Sequence, residues 1–325
     1  MAGRDVTQLI RDLASTVIPA VPVPFHGEGI DVESQRAYIH WMAGQQVGGV
    51  AVWAHTGRGP HLTVDQRVSV LDAWRTGMPR TRIVCGVGPS HDLTLPEEPE
   101  ARHRAVLDDA LANARLAREG GADVLMAHPP RALARLPGAS GRIVEYHAAL
   151  AASGVPVIAF LLYEAAGGVS YDPSTVSQIL ALDGVVGIKI ATLDSIMTFQ
   201  DVARLVAERS EALIITGEDR FLGYTLMCGA QAALIGLAAA CTDVVVSLVD
   251  AWRHKRHETF IELSARIDRF AAATFRAPME GYVQRMLWAL EDDGVVSHAG
   301  RDPFGPSLED TDRRSVREAV RALRV

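Results

Sequence analysis

The stretch "VVGIKIATLD" (residues 185–194) holds one of only two lysines in a chain of 325 residues, Lys189; the other is Lys255. Its neighbours Val185, Val186, Gly187, Ile188, Ile190 and Ala191 are apolar or small. An ammonium group is expensive to bury unless it is paired or has lost its proton. Desolvation disfavours the charged form and lowers the pKa, and the neutral amine can then attack a ketone to form a Schiff base. The iminium draws electrons from the adjacent carbon, so carbon–carbon or carbon–oxygen bonds beside the carbonyl can be made or broken. Arginine keeps its proton in proteins and has no such chemistry. A strand lysine also has a structural reading, as an ion-paired or snorkelling side chain.

The elements that must position this lysine form a regular series. Short apolar runs occur at 17–25, 48–54, 82–88, 122–127, 155–163, 185–191, 212–217 and 232–238. Nearly continuous apolar runs of this length suit strands covered on both faces of a parallel sheet. Segments with helical periodicity separate them, among them "DVESQRAYIHWMAGQQ" and "AVLDDALANARLAREGG". Alternating strand and helix implies a parallel sheet with right-handed crossovers. Eight such units fit a closed (β/α)₈ barrel, which takes about 250 residues. A doubly wound open sheet is the main alternative, but no Gly-rich nucleotide fingerprint follows the first strand. The expected organisation is a helical lead-in at 1–16, a TIM barrel at 17–240 and a C-terminal helical segment at 241–325 packed on the barrel.

Barrel active sites lie at the C-terminal ends of the strands. That rule gathers Phe25-His26, Ala54-His55-Thr56-Gly57-Arg58, Gly88, His128, Phe160 to Tyr163, Lys189, Gly217-Glu218-Asp219 and Gly236 at one mouth. For Glu218 and Asp219 a structural hydrogen-bonding role is expected.

Composition excludes other classes. Hydrophobic content of 48%, charged content of 22% and a net charge of -7 describe a folded protein that does not favour nucleic acid or an anionic membrane. No signal peptide is legible in "MAGRDVTQLIRDLAST", and the longest apolar run, Ala232 to Cys241, is about half of the ~20 residues a membrane helix needs. Cys85, Cys228 and Cys241 lack metal-ligand spacing and read as small core residues. A reduced, cytoplasmic enzyme without a cofactor or metal is expected.

Several motifs resemble one family. "GIKIATLD" resembles the Schiff-base strand of the dihydrodipicolinate synthase and N-acetylneuraminate lyase family. "PVPFHGEGIDVES", "GGVAVWAHTGRGPHLTVDQR", "GADVLMAHPP" and "ITGEDRFLGYTLMCGAQAALIG" resemble that family's first, second, fourth, and seventh-to-eighth strand regions, in the same order. The resemblance spans roughly residues 15–300. It implies a TIM barrel with a C-terminal helical segment, a homodimer or homotetramer, and a substrate that is pyruvate or another 2-keto acid. It also implies that the turn at His55, Thr56 and Gly57 holds the keto-acid carboxylate, where a Gly-containing turn bares its amides to an anion.

Departures from the family are equally informative. The tyrosine that passes protons to the Schiff-base intermediate is replaced by Phe160, or by Leu161 with a one-residue slip, and Tyr163 is the nearest substitute. The arginine that grips a second carboxylate is missing from "YEAAGG", and Pro129-Pro130 replace a tyrosine pair. His55 stands for the first threonine of the turn, and its ordinary pKa near 6.5 suits proton transfer. Arg58 stands where the family has Glu; it meets a substrate carboxylate, or else faces solvent or a neighbouring subunit. Together these point away from lysine biosynthesis, toward a divergent aldolase or dehydratase. The expected site is Lys189, Tyr163 and His55 for catalysis, with Thr56, Gly57, Arg58 and Gly236 for substrate. A catalytically retired barrel that binds a keto acid or sugar acid is the alternative. A metal-dependent hydrolase ranks last, because "PFHGEG" offers a single histidine.

Overall fold

In the computed structural model, which describes residues 6–164, 167–193, 195–209 and 211–325, eight parallel strands form one sheet. They are β1 (Val17–Pro19), β2 (Gly49–Val52), β3 (Arg82–Val87), β4 (Val124–Ala127), β5 (Val157–Leu162), β6 (Val185–Ala191), β7 (Leu213–Thr216) and β8 (Ala232–Ile235). Each pairs with its successor from β2 onward, β8 pairs with β1, and a parallel bridge between Ala20 and Ala51 closes the ring. The expected (β/α)₈ barrel with C-terminal helices is the observed fold.

Two runs are shorter than expected. In "VIPAVPVPF" the prolines at 19, 22 and 24 lack the N–H that a ladder needs, so β1 stops at Pro19. Phe25–His26 instead forms a small antiparallel hairpin with Gly29–Ile30. The last run leaves the sheet at Ile235 and continues as a 3₁₀ turn, Leu237–Ala239.

Alternation along each strand separates two apolar layers. Ile188 and Ile190 pack outward under the helices, whereas Phe160, Leu162, Ala191 and Ile215 line the barrel interior. The lead-in helix α1 (Val6–Leu13) sets Leu9 and Leu13 into this interior cluster. It is tied to the strand bases by the Arg82–Asp12 ion pair. Water is thus excluded from the end of the barrel opposite the mouth.

The outer helices are α2 (Val32–Met42), α3 (Val64–Gly77), α4 (Pro99–Glu119), the single turn α5 (Arg131–Ala134), α6 (Ala139–Ala151), α7 (Pro173–Leu180), α8 (Ile196–Arg209), α9 (Leu222–Met227) and α10 (Thr242–Arg253). Helix α10 completes the eighth β/α unit, so the last barrel helix lies beyond the expected boundary at 240. The remaining segment comprises α11 (His257–Thr274), a 3₁₀ turn at Met279–Gly281, α12 (Tyr282–Asp292) and α13 (Asp310–Arg324). Among the described residues no helix is long and apolar enough to cross a membrane.

A single cation fixes how this segment turns back over the mouth. Arg285 of α12 is fully buried and donates to the carbonyls of Thr274, Arg276, Ala277 and Pro278 and to the Asp312 carboxylate. A buried guanidinium holds only where its donors are satisfied, and here they define the path of residues 274–281. Arg285→Met should therefore lower the free energy of unfolding by about 3–5 kcal/mol, because the buried carbonyls lose their donor and Asp312 keeps only Arg276 as a cationic partner. Urea titration measures this, and a loss below about 1 kcal/mol would show that the segment docks without the cation.

Candidate active site

Lys189 emerges on the interior side of β6, level with Phe160 of β5 and Ile215 of β7. It is 6% exposed, and its Nζ lies 4.0 Å from the centroid of the Phe160 ring. Burial pulls its ammonium down to about 8, although the carboxyls of Asp219 and Glu218 pull the other way. Close approach explains Gly217, where a Cβ would stand 2.6 Å from Lys189 Cε. The two acids that follow β7 have internal partners. Glu218 accepts from the amides of Thr192 (2.6 Å) and Leu193 (2.9 Å). It thereby holds the loop after the lysine strand, in which Leu193 takes a positive φ of 64°. Asp219 accepts from the Leu237 amide at 2.7 Å, and burial raises its carboxyl. The structural role expected for both acids agrees with these bonds, while Asp219 also lines the lysine cavity.

The turn after β2 carries His55, Thr56, Gly57 and Arg58. Its backbone is strained, with Trp53 and Arg58 at positive φ of 56° and 53°. Arg67 of α3 braces it by donating to the Gly59 carbonyl at 3.1 Å, and the Trp53 indole donates to the Arg67 carbonyl at 3.0 Å. Among the described residues no group accepts from the Thr56 or Gly57 amide. Both amides are thus left without a protein acceptor, and Thr56 lines the Lys189 cavity.

The cavity over Lys189 is small, about 30 Å³, and is lined by Thr56, Phe160, Tyr163, Asp219, Gly236 and Tyr282 among others. His55 borders both this cavity and an outer chamber of about 300 Å³ toward the barrel mouth. Five of the expected residues, Lys189, Tyr163, His55, Thr56 and Gly236, thus meet around one space. Gly57 lies in the adjoining turn.

Arg58 borders the outer chamber but is only 3% exposed, so it does not stand free in solvent, and its guanidinium is already engaged. Its Nε and Nη2 donate to Asp302 (3.1 and 2.6 Å), and Nη1 donates to Glu280 at 2.8 Å. Burial alone would weaken its hold on the proton, but Asp302 and Glu280 outweigh that and hold it higher than usual. The guanidinium is a bolt between the barrel turn and the C-terminal segment.

That segment supplies the groups that the sequence reading missed. Glu280 places both carboxylate oxygens 3.0 Å from His55 Nε2 and receives the Tyr163 hydroxyl at a long 3.5 Å. Burial would raise its carboxyl, but His55 and Arg58 together hold it down at about 2. Tyr282 sets its hydroxyl 3.0 Å from Thr56 Oγ1. The only local signal was an acid and a tyrosine flanking Gly281 at a helix start in "PMEGYVQ". The outer chamber is walled by His61, which packs at a tilt against His91 (4.2 Å) and stacks on Phe304 (4.8 Å), and by His128. Burial, then His91 and Arg58, pull His61 down to about 4; burial, then His55 and Lys189, pull His128 down to about 3. Both rings are neutral at physiological pH.

Glu280 has a folded pKa below its ordinary 4.5. Its contribution to stability is full above about pH 4.5 and is lost as pH falls toward 2. Glu280→Gln should therefore lose less stability than the wild type over that window, read by urea unfolding at pH 5, 4 and 3. Parallel curves would place the carboxylate outside the network.

Comparison with known proteins bears on this geometry. The profile described as the dihydrodipicolinate synthetase family matches residues 104–323. The chain is similar, at 23% identity over 304 residues, to a 4-hydroxy-tetrahydrodipicolinate synthase of an Anaeromyxobacter species, covering 93% of this chain and 94% of that one. At 28% over 289 residues it is similar to a probable 5-dehydro-4-deoxyglucarate dehydratase of Streptomyces coelicolor, covering 71% and 89%. Its backbone matches the crystal structure of dihydrodipicolinate synthase from Agrobacterium tumefaciens with a TM-score of 0.80, at 20% identity and over 97% and 99% of the two chains. At that identity the likeness is one of fold.

Proposed function

This chain belongs to the dihydrodipicolinate synthetase family, and we propose that it is a Schiff-base-forming lyase, an aldolase or dehydratase acting on pyruvate or a related 2-keto acid. The observation that carries this reading is the Lys189 amine, buried and lowered in pKa at the end of β6, in one cavity with Thr56 and next to a turn with two unpaired amides. The keto-acid carboxylate sits on the Thr56–Gly57 turn and presents its 2-carbonyl to Nζ. The amine adds to that carbon, water leaves, and the iminium accepts the electron pair of the bond beside it. Cleavage or water loss further along the substrate requires a proton to be moved at the distal oxygen. His55 and Tyr163, both against Glu280 where the cavity meets the outer chamber, are the groups for that step.

The outer chamber defines what lies beyond the reacting bond. Its one guanidinium among the described residues, Arg58, is held by two carboxylates, and His61 and His128 are neutral. A second carboxylate finds no free guanidinium or lysine there, whereas imidazole faces and the apolar Leu93, Leu95 and Val106 suit a neutral sugar-derived or aromatic chain. This reading includes a homodimer or homotetramer. The phenyl ring at Phe160, where a proton-passing tyrosine is usual in the family, favours the alternative of a keto-acid binder without turnover.

Trapping separates the two. Borohydride with pyruvate or another 2-keto acid should leave a secondary amine on Lys189, located by peptide mass spectrometry with exposed Lys255 as the internal control. The rate of trapping should rise from pH 6 to above pH 8, as the neutral amine becomes the major form. Lys189→Ala and Lys189→Arg should both abolish it. The absence of any adduct across a panel of 2-keto acids would leave the binding reading. His55→Ala or Tyr163→Phe should lower turnover about 100-fold while trapping suffers less. Full turnover in both variants would assign the distal proton to water or substrate.

A further inference from the structure

The cavity holds a second tyrosine, one that the barrel itself does not provide. We propose that Tyr282, carried in by the C-terminal segment, is the acid–base group that forms the lysine imine and converts it to the enamine, working through Thr56. This rests on the Schiff-base reading above.

Four observations support the assignment. Tyr282 is 5% exposed, lines the Lys189 cavity and hydrogen-bonds Thr56 Oγ1 at 3.0 Å. Its ring is fixed by stacking on Phe275 (4.6 Å, 25°) and by the His55 ring near it (6.2 Å, 22°). Space is reserved for the pair, because a Cβ at Gly236 would stand 3.1 Å from Thr56 Oγ1 and 3.2 Å from Tyr282 Cε2. Competitors are engaged or inert: Phe160 has no proton to move, Tyr163 turns to Glu280, and Asp219 accepts from Leu237.

The steps balance. Addition of Lys189 to the keto carbon gives a neutral carbinolamine. Tyr282 passes its proton through Thr56 to the carbinolamine hydroxyl, which departs as water and leaves an iminium and a phenolate. The phenolate then takes a proton from carbon 3, the C–H electrons move toward the iminium, and the phenol is restored. Burial, with Tyr163 nearby, holds this phenol well above its ordinary value. The phenolate is therefore a strong base that persists only while the iminium charge faces it.

Deuterium exchange into the pyruvate methyl group, followed by NMR in D₂O, tests the relay without the unidentified second product. Wild-type protein should exchange. Tyr282→Phe should lower kcat for exchange about 100-fold, leave KM for pyruvate within about threefold, and still give the Lys189 borohydride adduct on long incubation. Thr56→Val should act in the same direction, and the double variant should be no worse than the poorer single one. A folded Tyr282→Phe protein with kcat above about a third of wild type, or with only KM altered, overturns the proposal. If that variant fails to fold, Thr56→Val decides, and exchange at the wild-type rate overturns the relay. A wild-type adduct without wild-type exchange also overturns the relay alone. Neither adduct nor exchange with pyruvate or 2-oxobutyrate overturns the Schiff-base reading, and the relay with it.

Discussion

An amine removed from water must be paired or neutral, and the arrangement around Lys189 follows from that constraint. Phe160 gives it an aromatic floor, and among the described residues no carboxylate forms a direct ion pair with it. Glu218 and Asp219 are near enough to act on the charge, yet both are committed to backbone amides. Their bonds hold the two loops that frame the lysine, so the same acids support the site and moderate its electrostatics. The interior apolar layer and the α1 helix beneath it keep the low dielectric that lowers the amine's pKa.

A second constraint acts at the mouth. Arg58 is too deeply buried to stand alone, and both of its carboxylate partners come from beyond residue 275. Leaving a buried guanidinium unpaired costs several kcal/mol, so the turn after β2 and the C-terminal segment are coupled. Glu280 is the shared element: it neutralises Arg58, orients His55 and receives Tyr163. Arg285 fixes the peptide that presents it. The C-terminal segment therefore completes the lining of the Lys189 cavity, beyond packing against the barrel.

This accounts for how the family's plan is modified here. With a phenyl at Phe160, the proton-bearing groups stand elsewhere around the lysine. Tyr163 lies one residue past β5, Tyr282 lies on α12, and Thr56 links the latter to the turn after β2. Beyond the lysine cavity, His61 and His128 give the outer chamber a neutral imidazole wall.

The sequence by itself determined what depends on local pattern. Eight apolar runs with helical segments between them specify a β/α barrel, because burial on both faces demands continuous apolar strands. The lysine in "VVGIKIA" and the glycine turn at 55–57 were legible because residue type and strand end suffice to place them. The proline-broken first strand was legible in principle, since each proline removes a ladder donor. What tertiary structure decided was partnership. Arg58 read as an available cation, and only folding brought Glu280 and Asp302, 222 and 244 residues away, against it. Tyr282 had only a weak local signal beside Gly281, since a tyrosine in an amphipathic helix becomes an acid–base candidate only when packing sets it 3.0 Å from a threonine 226 residues earlier. Hydrophobic periodicity is written along the chain, whereas the pairing of buried polar groups is settled by which distant segments share a desolvated space.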